Sequence, residues 1–398
     1  MITNIIVVFS TVLIGAVLFL PRVANNPLWR ATITPLASII GSGFLILGPI
    51  LNQAFGGYAP LIMAALCLVA FLFGAAIRFN ITACTIARNG RIIVNLEILS
   101  SWVLAFAYIV SVAYYLNLFG AFGVRLVSQG DETSARLLTS GIFILILIVG
   151  WTRGFSALER MEQVSVSLKL AIIAGLIIGL ALFAAERALD NQLIFNSAQE
   201  QGWAALTLTF GLIVTVQGFE TSRYLGQEYD APTRIFSMRF AQYFSSLIYV
   251  AYIVLIAYLF RPDEFSLTET AIIDMMAVVA PVLPLLLIIA ALSAQFSAAV
   301  ADTSGSGGLI TELTKGRIKT HQAYALLVFT GLVLTWSVNI FEIVSYASRA
   351  FALYYGLQSV IAAILCFRSG GSHSKTLGFA LLAILGLVIA VFGTPVET

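Results

Sequence analysis

Four charged side chains stand where charge is costly. Lys169 lies in VSVSLKLAIIAGLIIGL, Glu220 in VQGFE, Asp302 in ALSAQFSAAVADTSGSGG and Arg349 in SYASRAFALYY. An ionisable group inside a membrane span is expensive, and function is its usual reason. A lysine two turns inside a span either snorkels to the surface or makes an internal contact. Burial disfavours its charged form, so an internal Lys169 can act as a cation that comes and goes with pH. Asp302 can hold a sodium ion, carry a proton or pair with a cation. Its flank, Ser293, Gln295, Ser297, Thr303 and Ser304, is polar. Helix packing accounts for the small residues there but not for the acid. Glu220 either works in the site or pairs with Arg223, three residues on, as a structural ion pair. Arg349 balances an acid or sits near the outer surface.

Two apolar stretches are badly made as continuous helices, and Glu220 lies in the second. Residues 31–53, ATITPLASIIGSGFLILGPILNQ, contain Pro35, Gly41, Gly43, Gly48 and Pro49. Interior Gly costs ~1 kcal/mol and interior Pro ~3 kcal/mol of helix stability. A break at Ile40-Gly41-Ser42-Gly43 would free backbone for a ligand. The half-helix from Phe44 onward offers N–H groups and a positive dipole end to a carboxylate. The half ending near Ser38–Ile40 offers carbonyls to an ammonium or a metal cation. Residues 203–225 form a second such stretch, with Gly211 and Gly218. Within it, in Val216-Gln217-Gly218-Phe219-Glu220, Gly218 would allow the unwinding and Phe219 could close over a solute.

The elements that position these residues are membrane helices. Hydrophobic residues make up 60% of the 398 and charged ones 10%. Ordinary soluble domains carry roughly 25% charge. Apolar runs predict about twelve spans, near 3–20, 31–53, 58–79, 94–124, 136–151, 162–185, 203–225, 239–260, 280–313, 321–338, 344–367 and 375–392. No gap between them holds a soluble catalytic domain. With the N-terminus outside, fifteen of the 21 Lys and Arg fall in inner segments, which places both termini on the non-cytoplasmic side. The first run lacks a basic leader, so it reads as an anchor and not a cleaved signal. Five spans start with each broken one, so the second five are inverted relative to the first, the plan of a secondary transporter.

Several classes of function lose their footing. Net charge is +2, which gives no basis for a nucleic-acid partner. Cys67, Cys84 and Cys366 have no pairing or metal spacing and read as small hydrophobes. His321 and His373 stand apart without an acidic or nucleophilic partner, so neither a metal site nor an acyltransferase has material. No phosphate-binding loop supports ATP coupling. A major-facilitator transporter usually has both termini inside, against the charge count. A substrate-sensing receptor would need a partner to signal. Tyr108, Tyr114 and Tyr115 either line a pocket or pack, and Tyr346, Tyr354 and Tyr355 suit an interfacial belt.

Taken together, these residues resemble a known family. Ile39-Ile40-Gly41-Ser42-Gly43-Phe44 resembles the first-helix motif of the amino acid–polyamine–organocation (APC) transporters. The run AFGGYAPLIMAAL, from Ala54 to Leu66, resembles their helix 1–2 junction. Gly218-Phe219-Glu220, followed by Glu228, Pro232 and Arg234, resembles their sixth-helix pattern, and Lys169 falls where many members carry a lysine. The resemblance covers roughly 30–367. It implies an all-α, LeuT-type bundle of five plus five inverted helices, with 29–186 and 200–367 as the repeats. Segments 1–28 and 368–398 would be additional.

It also implies a secondary active transporter, not an enzyme, in a plasma (inner) membrane. Such a protein moves amino acids or related small amines by alternating access, as symporter or exchanger. The substrate would lie at Ile40 to Gly43 and Gln217 to Phe219. Lys169 would sit near Gly41 and Ser297, where sodium-coupled relatives hold an ion. No cofactor or metal is implied, and the coupling ion would be a proton ahead of sodium. Departures are the extra leading span, a single trailing span, Gln217, Gly307 where an arginine is common, and Asp302. They leave a second reading, a sodium-coupled carrier of a nucleobase, osmolyte or inorganic cation.

Overall fold

Glycine and proline decide where the helices of this chain stop. The computed structural model describes residues 2–41, 43–83, 90–127, 131–152, 162–226 and 229–396. Ser42, Cys84, Glu228 and the basic residues Arg88, Arg153 and Arg160 lie outside the described residues. The chain opens with α1 (Ile2–Phe19) and the single turn α2 (Pro21–Ala24), then α3 (Pro27–Ile39) and α4 (Gly43–Phe55). There follow α5 (Ala59–Ala83), α6 (Arg91–Val124), α7 (Glu132–Thr152) and α8 (Glu162–Leu189). The middle holds α9 (Gly202–Gly211), the single turn α10 (Thr221–Tyr224), α11 (Ala231–Ala257) and α12 (Ala271–Val279). The last four are α13 (Leu283–Leu313), α14 (Thr320–Ser337), α15 (Ile340–Arg368) and α16 (His373–Phe392). No strand occurs among the described residues.

This is an all-helical membrane bundle. Among the described residues, nine stretches are helical, long and apolar enough to cross a bilayer, against twelve expected. The difference has physical causes. Spans 31–53 and 203–225 are divided into pieces, and α4 runs into α5 through one tight turn at Gly56–Tyr58. Helix α14 opens on Thr320-His321-Gln322, which leaves too few apolar residues in its 18.

The central helix is α6, packed by α7, α13 and α15. Helix α5 joins α11 to α15. In lipid, helices associate by close packing and not by escape from water, so contact surfaces favour small residues. The flanking helices follow this rule. On α8, Ala171, Gly175 and Gly179 recur every four residues and receive Gly15, Thr11 and Val7 of an antiparallel α1. A Cβ on Gly179 would lie 2.9 Å from Val7 Cγ2.

At the other end of the chain, Gly386 of α16 crosses Gly356 of α15. A Cβ on Gly386 would lie 2.7 Å from Gly356 Cα and 2.8 Å from Ala352 O. Gly386→Leu is therefore expected to cost ~1–3 kcal/mol by overpacking. Melting of the purified protein in detergent should show it. Gly378→Leu, on the same helix with open space around its Cβ, should leave melting unchanged.

Candidate functional site

The first break falls where glycine and the following motif predict. Helix α3 ends at Ile39, Ile40 turns out of helix at φ −84°, ψ 65°, and α4 begins at Gly43. A helix end leaves its last carbonyls without intrahelical partners. Here Leu36 O takes the Ile40 N–H, Ala37 O takes the Lys169 ammonium at 2.7 Å, and Ile39 O takes the Tyr249 hydroxyl at 2.9 Å. Lys169 is 2% exposed, so it makes an internal contact and does not snorkel. A cation at the negative end of a helix is favoured by the helix dipole. The expected position was beside Gly41 and Ser297. The contact found lies one turn earlier, on Ala37, because the orphaned carbonyl is there. Ser297 is half-buried on α13, between Ser293, which bonds Ser165 of α8, and Asp302.

The second break is longer than expected and starts earlier. Helix α9 stops at Gly211, a tight 3₁₀ turn covers Ile213–Val216, and Gln217 is extended at φ −81°, ψ 176°. Gly218 then takes φ +113°, a backbone region that side chains rarely enter. The early stop has a cause far along the chain. The segment after α16 lies against Gly211, with Thr394 N–H on Thr207 O at 3.0 Å. Ser348 of α15 fills both sides of the gap, donating to Gly211 O at 2.6 Å and accepting from Val214 N–H at 3.0 Å.

The two breaks meet. A Cβ on Gly43 would lie 2.7 Å from Thr215 Cα, and a Cβ on Gly218 would lie 2.6 Å from Ser38 C. Each glycine thus lets its own backbone reach the other break. The Tyr249 hydroxyl spans both, 2.9 Å from Ile39 O and 2.7 Å from Thr215 O. Gln217 Nε2 donates to Tyr115 Oη at 3.0 Å, and Tyr115 also borders Gly41. Ser111 of α6 donates to Asp302 Oδ2 at 2.6 Å. Ile40, Gln217 and Phe219 are all buried, so the meeting point is enclosed.

Glu220 is fully buried and folds back over the break. Its Oε2 accepts from Gly218 N–H at 3.0 Å and from the Tyr355 hydroxyl at 2.8 Å. Phe219 stacks on the Tyr355 ring, centroids 5.0 Å apart. Tyr355 is thus part of the site and not of an interfacial belt. The structural ion pair between Glu220 and Arg223 is overturned. Arg223 turns away and forks onto both oxygens of Glu97, at 2.8 and 2.7 Å, and also reaches Gln358 Oε1. Arg349 makes no salt bridge among the described residues; half-buried, it donates from Nε to Ala390 O at 2.7 Å in the last turn of α16.

Sequence reasoning left Tyr115 between lining a pocket and packing, gave Tyr355 only an interfacial role and passed over Ser111 and Tyr249. The usable signal was a hydroxyl pair four residues apart, Ser111 and Tyr115, in an apolar helix. Elsewhere, a cavity of about 500 Å³ opens between α6, α7, α12 and the start of α15, beside the Arg125–Asp274 ion pair. It includes none of the expected site residues. Among the described residues, no group of three or more His, Cys, Asp or Glu could hold a metal ion.

The arrangement offers helix N–H groups, orphan carbonyls, an ammonium and two buried carboxylates around one closed point. A family model described as an APC superfamily transporter matches residues 21–393. An uncharacterized protein of Aquifex aeolicus (strain VF5) is 39% identical over 404 residues, covering 98% of this chain and 97% of that protein. With two broken helices joined at a buried polar centre and a family match along nearly its whole length, this chain belongs to the APC superfamily of transporters.

Proposed function

We propose that the protein is a secondary active transporter of amino acids or related small amines, working by alternating access as symporter or exchanger. The observation that carries this reading is the contact of the two broken helices at one buried point. In this reading the bundle is a LeuT-type pair of inverted five-helix repeats, 29–186 and 200–367. Helix α1 and helix α16 are additions, and both termini lie outside the cytoplasm of a plasma membrane. The substrate carboxylate meets the N–H groups of Gly43 and Phe44. Its ammonium meets Ser38 O and the carbonyls of the second break, since Ala37 O and Ile39 O are already occupied by the protein. Lys169 links transport to protons, because losing its proton would release the end of α3.

Uptake of labelled amino acids into proteoliposomes tests this, with an inward proton gradient, an inward sodium gradient or neither. Dependence of uptake on the proton gradient, in the direction of symport or of exchange, and loss of that dependence in Lys169→Ala are the expected results. Stimulation by sodium alone would overturn the proton link, and absence of uptake by folded protein would overturn the substrate class. A further variant addresses the break itself. A Cβ on Gly41 would make ordinary contacts, 3.4 Å from Ser38 O and 3.6 Å from Tyr115 Cε1. Gly41→Leu is thus expected to fold, yet to fill the space beside Tyr115 and abolish substrate binding. Normal affinity in that variant would remove the first break from the site.

A further inference from the structure

Tyr115 of α6 stands between the two breaks. Its hydroxyl accepts from Gln217 Nε2 at 3.0 Å, in the second break. Its ring borders Gly41, in the first. One turn back on α6, Ser111 donates to Asp302 Oδ2 of α13 at 2.6 Å. Residues four apart on a helix share a face, which sets Ser111 and Tyr115 on one side of α6. The four side chains are between 0% and 4% exposed, so no water competes along the line.

A hydroxyl donates a single hydrogen, which gives the line a direction. Ser111 spends its hydrogen on Asp302, and Tyr115 accepts from Gln217. In this direction every donor points toward the carboxylate, as an ionised Asp302 requires. If Asp302 takes up a proton, its new O–H donates to Ser111, Ser111 donates to Tyr115, and Tyr115 needs an acceptor. Gln217 becomes one by turning its amide over. Its Oε1 is buried and without a partner in the present direction. An unpaired buried oxygen is costly, and a substrate ammonium at the break would satisfy it.

We propose that Asp302, Ser111, Tyr115 and Gln217 form a reversible hydrogen-bond relay. Through it, the charge on Asp302 sets whether Gln217 shows an amide oxygen or an amide N–H to the substrate. One proton is bound or released at Asp302, each hydroxyl keeps its own hydrogen by rotating, and no other bond is made or broken. Ammonium binding favours the oxygen-facing state, so an amine substrate and the Asp302 proton exclude each other. Tyr108 of α6 and Glu220 also act on Asp302. Of the other titratable groups packed on α13, Lys169 of α8 is engaged at Ala37 O and Tyr324 of α14 lies against Gly307. The proposal rests on the transport reading above for its ligand, but not for its titration.

Two measurements on the purified full chain test it. The first is calorimetric binding of L-alanine, L-leucine, L-lysine and putrescine in buffers of different ionisation enthalpy, across a pH series. Wild type should release a proton on binding, with affinity rising by up to about tenfold per pH unit. Asp302→Asn and Tyr115→Phe should bind without release and without pH dependence. Binding with unchanged release in Asp302→Asn would overturn the relay. Failure of all probes to bind wild type would instead overturn the substrate class.

The second measurement needs no substrate. Infrared difference spectra on pH titration should show a carboxylic-acid band appearing together with a shifted glutamine amide band. Both should be lost in Asp302→Asn, and the amide shift alone in Tyr115→Phe. An amide band that stays fixed through the wild-type titration would overturn the relay whatever the ligand.

Discussion

Gly218→Ala is expected to damage the protein nearly as much as Gly218→Val. The reason is that the obstacle is met at Cβ itself. A Cβ at 218 would lie 2.6 Å from Ser38 C and 2.7 Å from Ile39 N, both backbone atoms of α3 that cannot swing aside. The φ of +113° adds strain that only glycine escapes. Strain in such a region costs ~1–3 kcal/mol and overpacking a further ~1–3 kcal/mol. Together they are a large fraction of a typical domain's stability. Thermal melting in detergent, followed by the monodisperse fraction, should fall sharply and similarly for both variants. A wild-type melting curve for Gly218→Ala would mean that residue 218 is not held against Ser38. The same variant should lose transport even where some protein survives, because the second break would no longer reach the first.

Much of this was legible in the sequence, and the limits were physical. The first break could be read because its causes are local: Gly41 and Gly43 in a row of apolar residues act on their own backbone. The second break was only half legible. Gly218 signalled its end, but its beginning at Gly211 is set by Thr394 and Ser348, which no local pattern connects to it. Lys169 announced itself as a charge in an apolar helix. Its partner did not, because the partner is a main-chain carbonyl freed by a break elsewhere. Glu220 shows the same limit from the other side. Arg223 stands three residues away and was the natural neighbour, yet Glu97, 126 residues distant from that arginine, holds it instead. Aromatic hydroxyls were the least legible class. Tyr115, Tyr249 and Tyr355 look like any packing tyrosine, and only the backbone groups and carboxylates they meet give them a role.

The Arg223 contact also predicts how one end of the bundle is held shut. Arg223 follows the second break directly and ties α10 to Glu97 of α6 and Gln358 of α15. Gln358 in turn donates to Ser100 at 2.7 Å and accepts from Asn80 of α5 at 2.9 Å, and Arg234 of α11 caps Arg223 O at 2.7 Å. Five elements therefore meet around Arg223 and its partners. In the alternating-access reading this knot must open for the substrate to leave inward. Removing one partner of a fully buried ion pair costs ~3–5 kcal/mol. Here the two side chains keep 16% and 26% exposure, and solvent screening reduces that figure. We expect ~2 kcal/mol for Arg223→Ala, which corresponds to ~30-fold faster local opening. Hydrogen exchange should report it at α10 and at the adjoining ends of α5, α6 and α15, while α1 and α8 remain unchanged. Glu97→Gln keeps an acceptor and loses only the charge, so its exchange should lie between the two. Unaltered exchange at α10 in Arg223→Ala would show that the knot does not hold this end closed, and the closure would then have to come from Phe219 and Tyr355 stacked above it.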